Sequence, residues 1–215
     1  MNIRNTTPKE QMLKKIRQAL LNKRENPHPD FEEAPLYPDE DTPLDMTFAR
    51  ELTNVSGNFI YCESEITLIE NLILLVEKIK KTKICVWEEG IQSLLESYSF
   101  PFISGKENLE ATEVGITSCE YLIARNGSVM LSNGNASGRV LSIYPPIHVV
   151  FAKASQLVMD LKHAFIGMKE KYGAELPTMI STVTGPSRTA DIEKRLVLGA
   201  HGPKELYVFM IEDRF

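Results

Sequence analysis

The chain of 215 residues has no surplus of positive charge: 24 lysines and arginines stand against 29 acids, for a net charge of −5. Neutralising a phosphate backbone calls for a basic face, so a broad nucleic-acid surface is excluded. No apolar run reaches the roughly 18 residues that a membrane span needs. The start, MNIRNTTPKEQMLKK, turns charged where a signal peptide requires an unbroken apolar stretch, so the expected location is the cytoplasm. Cysteine is scarce: Cys62, Cys85 and Cys119 are too few and too far apart for a disulfide framework or a CxxC pair. The four histidines, His28, His148, His163 and His201, show neither H-x-x-x-H nor HExxH spacing, and no metal site is expected. The dinucleotide fingerprint GxGxxG, the phosphate loop GxxxxGK[ST] and the nucleophile elbow GxSxG are also missing.

What is present is an ordinary globular balance, 43% apolar and 25% charged, enough for one sizeable core with an appendage. The appendage is residues 1–43. From Pro8 to about Lys23, Met12, Ile16, Ala19 and Leu20 recur at helical spacing with Lys14, Lys15 and Arg17 on the other faces, which predicts an amphipathic helix. The stretch NPHPDFEEAPLYPDEDTP follows, with five prolines, six acids and no base, a composition that forms neither a helix interior nor a central strand. Without those six acids the chain holds 23 acids and 24 bases, so the charge deficit sits in this arm.

Residues 44–215 alternate as an α/β domain. Helices are predicted over Asp45 to Val55, Ser64 to Lys80, about Glu88 to Ser97, Ala154 to Tyr172 and Thr189 to about Leu198. Strands are predicted at NFIYC, KICVW, IHVVFAK, MISTVT and ELYVFMI. Strand, helix, strand with short connections is the pattern of a parallel sheet covered by helices. EYLIAR and SVMLS flank Asn126-Gly127, a strong hairpin signal, so an antiparallel hairpin is inserted into that sheet.

The chemistry-bearing stretch is TVTGPSRTADIEKRLVLGAHGPKEL. Ligands of open α/β sheets collect beyond the carboxyl ends of strands, and here a predicted strand ends in a glycine turn just before a predicted helix. Gly185 permits close backbone approach, and the first-turn amides carry partial positive charge. Ser187 or Thr189 can cap the helix or bond a ligand oxygen, and Arg188 adds a fork of donors for a carboxylate or phosphate. Asp191 falls in the first turn and could orient Arg188 or His201. His201 and Lys204 share the glycine-rich turn GAHGPK, and histidine is the side chain that exchanges protons near neutral pH, which makes His201 the general acid/base candidate. The same residues also read as a capped helix with its own ion pair. A second loop, SNGNASGR, could form an anion nest with Ser137 and Arg139, or be a plain surface turn. His148, at a strand start, reads as a structural histidine.

GITSCEYLIARNGSVMLS, YPPIHVV and TGPSRTADIEKRLVLGAHGPKELYVFMI together resemble the LUD-domain family, of the lactate utilization protein C type. The likeness runs from about Thr112 to the C-terminus and more loosely upstream. It implies a NagB/RpiA/CoA-transferase-like mixed sheet with helices on both faces. It also implies a role in a bacterial system that oxidises L-lactate to pyruvate, whose other members carry iron–sulfur clusters. With no cysteine cluster here, no cofactor is expected in this chain and the electron carriers fall to partner subunits. One departure stands out: where the family commonly has Glu at the hairpin, this chain has Arg125, so carboxylate-dependent covalent chemistry is not expected of it. The alternatives are a non-catalytic assembly or binding protein that uses its N-terminal helix and acidic arm, with the helix as a route to a homo-oligomer, and a small-molecule enzyme like the cyclo-ligases.

Overall fold

In a computed structural model of the chain, residues 7–21, 42–138, 140–192, 195–199 and 201–213 are described, 189–192 and 195–198 by their backbone alone. Two compact units, Met1–Glu40 and Asp41–Phe215, are each considered by themselves. The first contains helix α1, Pro8–Leu21, where the sequence pattern places it. Thr7 and Glu10 cap its start reciprocally: the Thr7 N–H donates to Glu10 Oε2 at 2.8 Å and the Glu10 N–H to Thr7 Oγ1 at 3.3 Å. Among the described residues no helix is long and apolar enough to cross a membrane.

The second unit opens with α2, Leu44–Asn54, and β1, Asn58–Cys62, followed by α3, Glu65–Ile79, and β2, Ile84–Val86. Ser64 starts α3 because its hydroxyl accepts the Thr67 N–H while the Thr67 hydroxyl accepts the Ser64 N–H at 2.9 Å. Next come α4, Glu89–Ser97, and strands β3, Val114–Ser118, β4, Tyr121–Ile123, β5, Ser128–Ser132, β6, Ile147–Lys153, and β7, Leu157–Val158. The last elements are α5, Leu161–Tyr172, β8, Ile180–Val183, β9, Arg188–Ile192, β10, Arg195–Leu198, and β11, Glu205–Ile211.

Five strands pair in parallel in the order β1-β11-β6-β3-β2. The inner strands are near-continuous apolar runs because both faces are covered. On one face Val149, Phe209, Ile116 and Ile84 meet Leu68, Leu72 and Leu95 of α3 and α4. On the other, Val150, Val208 and Met210 meet Leu122, Val129 and Leu131 of a second sheet, together with Phe48 and Leu52 of α2. That second sheet runs β7-β4-β5-β8, and α5 covers its outer face through Ala164 and Met168. The class is the expected mixed α/β.

Three expectations change in detail. Asn126-Gly127 does turn a hairpin, β4 to β5, with Gly127 at φ 60°, but the hairpin founds the second sheet instead of entering the parallel one. The helix predicted over Ala154 to Tyr172 begins only at Leu161. Gln156 folds back, accepting the Lys153 N–H at 2.7 Å and donating to Cys119 O at 2.6 Å, and the chain adds β7 before the helix starts. The helix predicted over Thr189 to Leu198 is the antiparallel hairpin β9–β10. Ser187 explains this, since its carbonyl accepts the Gly199 N–H at 2.9 Å and its N–H donates to Pro203 O at 2.8 Å. A helix between those anchors would part them by about 15 Å at 1.5 Å per residue, whereas a hairpin returns to its starting point.

Candidate functional site

Because Glu205 pairs with Ile147, the loops leading into β11 and β6 run side by side at the amino end of the parallel sheet. Pro146 O ties them, accepting the N–H groups of Lys204 at 2.7 Å and Glu205 at 3.3 Å. Between the loops lies a cleft of about 290 Å³ lined by Tyr144, Pro146, Gly199, His201, Gly202 and Lys204, with Ile143 at its side. Two glycines are required here. Gly199 has φ 75°, and a Cβ on it would come within 2.2 Å of Lys204 Cγ, so its bareness makes room for the lysine stem; a Cβ on Gly202 would press on Ser187 at 3.0 Å. His201 and Lys204 are exposed on this frame, so the turn GAHGPK does bring the histidine and the lysine onto one cleft.

The rest of the predicted anion turn faces elsewhere. Gly185, at φ 76°, packs so closely on the end of α2 that a Cβ would stand 2.2 Å from Val55 O. Arg188 Nη2 donates to Val55 O at 2.6 Å and to Ser56 Oγ at 2.9 Å, so its guanidinium serves the carbonyl end of α2, where a cation is favoured. Thr189 and Asp191 belong to β9, and their side chains lie outside the described residues. With a hairpin in place of the expected helix there are no first-turn amides for an anion. Ser187 acts through its backbone, as the clasp of that hairpin.

At the opposite, carboxyl end, the SNGNASGR loop has an anion, and it is the chain's own. Glu88 Oε1 accepts the Ser137 hydroxyl at 2.7 Å and the Ser118 N–H at 3.0 Å, while Asn135 Nδ2 donates to Ser118 Oγ at 3.0 Å. Arg139 lies outside the described residues. The chain leaves β2 for α4 on one face of the sheet and β3 for β4 on the other, so Glu88 sits at a switch point, where ligands of open α/β sheets collect. Next to it Glu120 is buried, accepting from Ser132 Oγ at 2.6 Å, Tyr172 Oη at 2.8 Å and Lys171 Nζ at 2.8 Å. Burial raises the Glu120 carboxyl, but the hydrogen bonds from Lys171, Ser132 and Tyr172 outweigh it and hold the group below the ordinary carboxylate range. The Lys171 ammonium is lowered by burial and raised more by Glu120, for a net rise. Sequence reasoning missed both acids: Glu88 stands directly after the predicted strand KICVW, which was an available signal, whereas Glu120 was read as the first residue of the hairpin strand EYLIAR and the strand before it, Val114–Ser118, was not predicted.

His148 is fully buried, with Nε2 2.9 Å from Thr117 Oγ1, and burial pushes its imidazole down to about 3. It is a neutral structural histidine. Arg125 grips Asp160, the residue before α5, through Nε to Oδ1 and through Nη2 to Oδ2 at 3.2 Å. The three cysteines are buried, and burial pushes the Cys62 thiol up to about 11. No group of three or more His, Cys, Asp or Glu among the described residues could hold a metal ion.

With this geometry established, comparisons with known proteins agree with one another. A family model described as the LUD domain matches residues 46–211. A lactate utilization protein C of Halalkalibacterium halodurans is 36% identical over 110 residues, covering 50% of this chain and 48% of the relative. The protein of the same name from Macrococcus caseolyticus is 28% identical over 180 residues, covering 76% and 78%. The match spans about half the length of the first of these relatives. Among solved structures, a DUF162 family protein from Deinococcus radiodurans is similar with a TM-score of 0.59 at 14% identity, over 81% of this chain and 99% of that one, a likeness of fold.

Proposed function

The chain belongs to the LUD-domain family, and on that premise we propose that it serves lactate utilization, as a cytoplasmic subunit of a system that oxidises L-lactate to pyruvate with iron–sulfur partner proteins. Relatives named for lactate utilization support the substrate class. The observation that carries the reading is the meeting of His201 and Lys204 on one cleft. Lys204 offers a point charge and three donors to a small carboxylate. His201, three residues before it in the turn, exchanges the proton of the 2-hydroxyl as that carbon passes between alcohol and ketone. In this assignment Lys204 takes the clamp role that the sequence offered to Arg188, since Arg188 is held by α2. The C2–H bond breaks in the same oxidation, and its two electrons and the second proton pass to an oxidised acceptor that the partner proteins would supply.

Isothermal titration with lactate and with pyruvate tests the assignment. Lys204→Ala is expected to weaken binding about tenfold, the loss of roughly 1.4 kcal/mol, and His201→Ala to weaken it less. Superimposable isotherms for wild type and Lys204→Ala would overturn the clamp. Inorganic phosphate binding as well as the carboxylates would mark a general anion site and remove the substrate assignment.

A further inference from the structure

Two exposed helix faces on opposite outer layers of the α/β unit match each other. On α3, Glu70 and Glu77 lie seven residues apart, which puts them on one line about 10 Å from each other. Ile66 and Ile73 flank that line on one side and Leu74 on the other, 57%, 43% and 61% exposed. On α5, Lys162 and Lys169 repeat the seven-residue spacing with the opposite charge. Leu161 and Phe165 flank them on one side and Ile166 on the other, 43%, 41% and 45% exposed. The helical wheel places Lys78 beyond Leu74 and Glu170 beyond Ile166, outside the two central charge lines.

We propose that α5 of one copy of this chain docks on α3 of a second copy. Three features support the match: opposite charge, equal spacing along the helix, and apolar flanks that would leave water on contact. α3 packs on the outer face of the parallel sheet and α5 on the outer face of the second sheet, so the domain core stands between them. One copy cannot join its own two faces. The contact is therefore between chains and heterologous, and successive copies either close into a ring or extend.

Sedimentation velocity of the full chain in low salt, where exposed charge pairs are least screened, tests this. Wild type is expected above monomer mass. The double variants Lys162→Glu with Lys169→Glu, and Glu70→Lys with Glu77→Lys, are each expected to weaken association at least about tenfold. The fourfold variant carrying both exchanges restores complementarity and is expected to reassociate. All four positions are exposed, and circular dichroism checks that each variant is folded. A monomeric wild type, double variants of wild-type mass, or a fourfold variant that stays monomeric would each overturn the proposal; wild-type mass in the doubles would mean that something other than this helix pair holds the copies together.

Discussion

His148 reads from the sequence as a structural histidine, and the fold buries it completely, with Nε2 2.9 Å from Thr117 Oγ1. Its folded value of about 3 lies well below the roughly 6.5 of a histidine in an unfolded chain. Between those two values the unfolded chain binds a proton that the folded chain refuses, so stability declines as pH falls through that window, by about 1.4 kcal/mol per pH unit. His148→Gln keeps a hydrogen-bonding group and removes the titration. Urea midpoints between pH 6.5 and the carboxylate range should therefore lose one proton's worth of slope in the variant, and parallel profiles would refute the assignment. Gly185 carries a second expectation at this scale. With φ at 76° and Val55 O in the space of a Cβ, Gly185→Ala should destabilise by more than about 1 kcal/mol in equilibrium denaturation. His201, Lys204 and their glycines were legible because a turn so poor in packing side chains leaves a histidine little structural work. Glu88 and Glu120 were not, because an acid at a strand end looks like any solvated charge until its partners arrive from positions up to 52 residues away.

Elements were legible where local pattern and long-range contacts agree. Ser64 caps its helix, Asn126-Gly127 turns its hairpin, and the apolar runs of β6 and β11 are buried strands. They were not legible where backbone bonds from distant residues overrule the pattern: TADIEKRLVL carries a helical rhythm, yet Ser187 is fastened to both Gly199 and Pro203 and only a hairpin fits. The end of α5 is tied to the second sheet by Glu120, which collects three donors just before β4. Glu120→Ala strands the buried hydroxyl of Ser132 and the half-buried one of Tyr172 and should cost about 1–3 kcal/mol. Lys171→Met should cost less, because half of the Lys171 side chain is already in water. Since the Glu120 carboxyl is depressed in the fold, its contribution is present above the ordinary carboxylate range and is lost as pH falls through the lower folded value. Glu120→Gln should flatten that acid limb, which denaturation midpoints below pH 4.5 would register; an unchanged limb would remove Glu120 from the account.

At the scale of the whole molecule, the sequence put the negative charge in the acidic arm. Counting by unit gives a different distribution, since residues 1–25 hold seven bases and two acids and largely offset the arm, while 44–215 hold 17 bases and 21 acids. The α/β unit is itself acidic, so a small anion is not drawn in by its overall field and must be held by local cations. The parallel sheet offers two ends for that purpose. At the carboxyl end the loop donors are already taken by Glu88, whose carboxylate repels a second anion. At the amino end Lys204 and His201 face an open cleft. Titration of isotopically labelled chain with pyruvate should therefore move the amide signals of His201, Gly202 and Lys204 while those of Ser118 and Asn135 stay in place. Shifts confined to Ser118 and Asn135 would transfer the site to the switch point and leave the amino-end cleft a structural junction between β6 and β11.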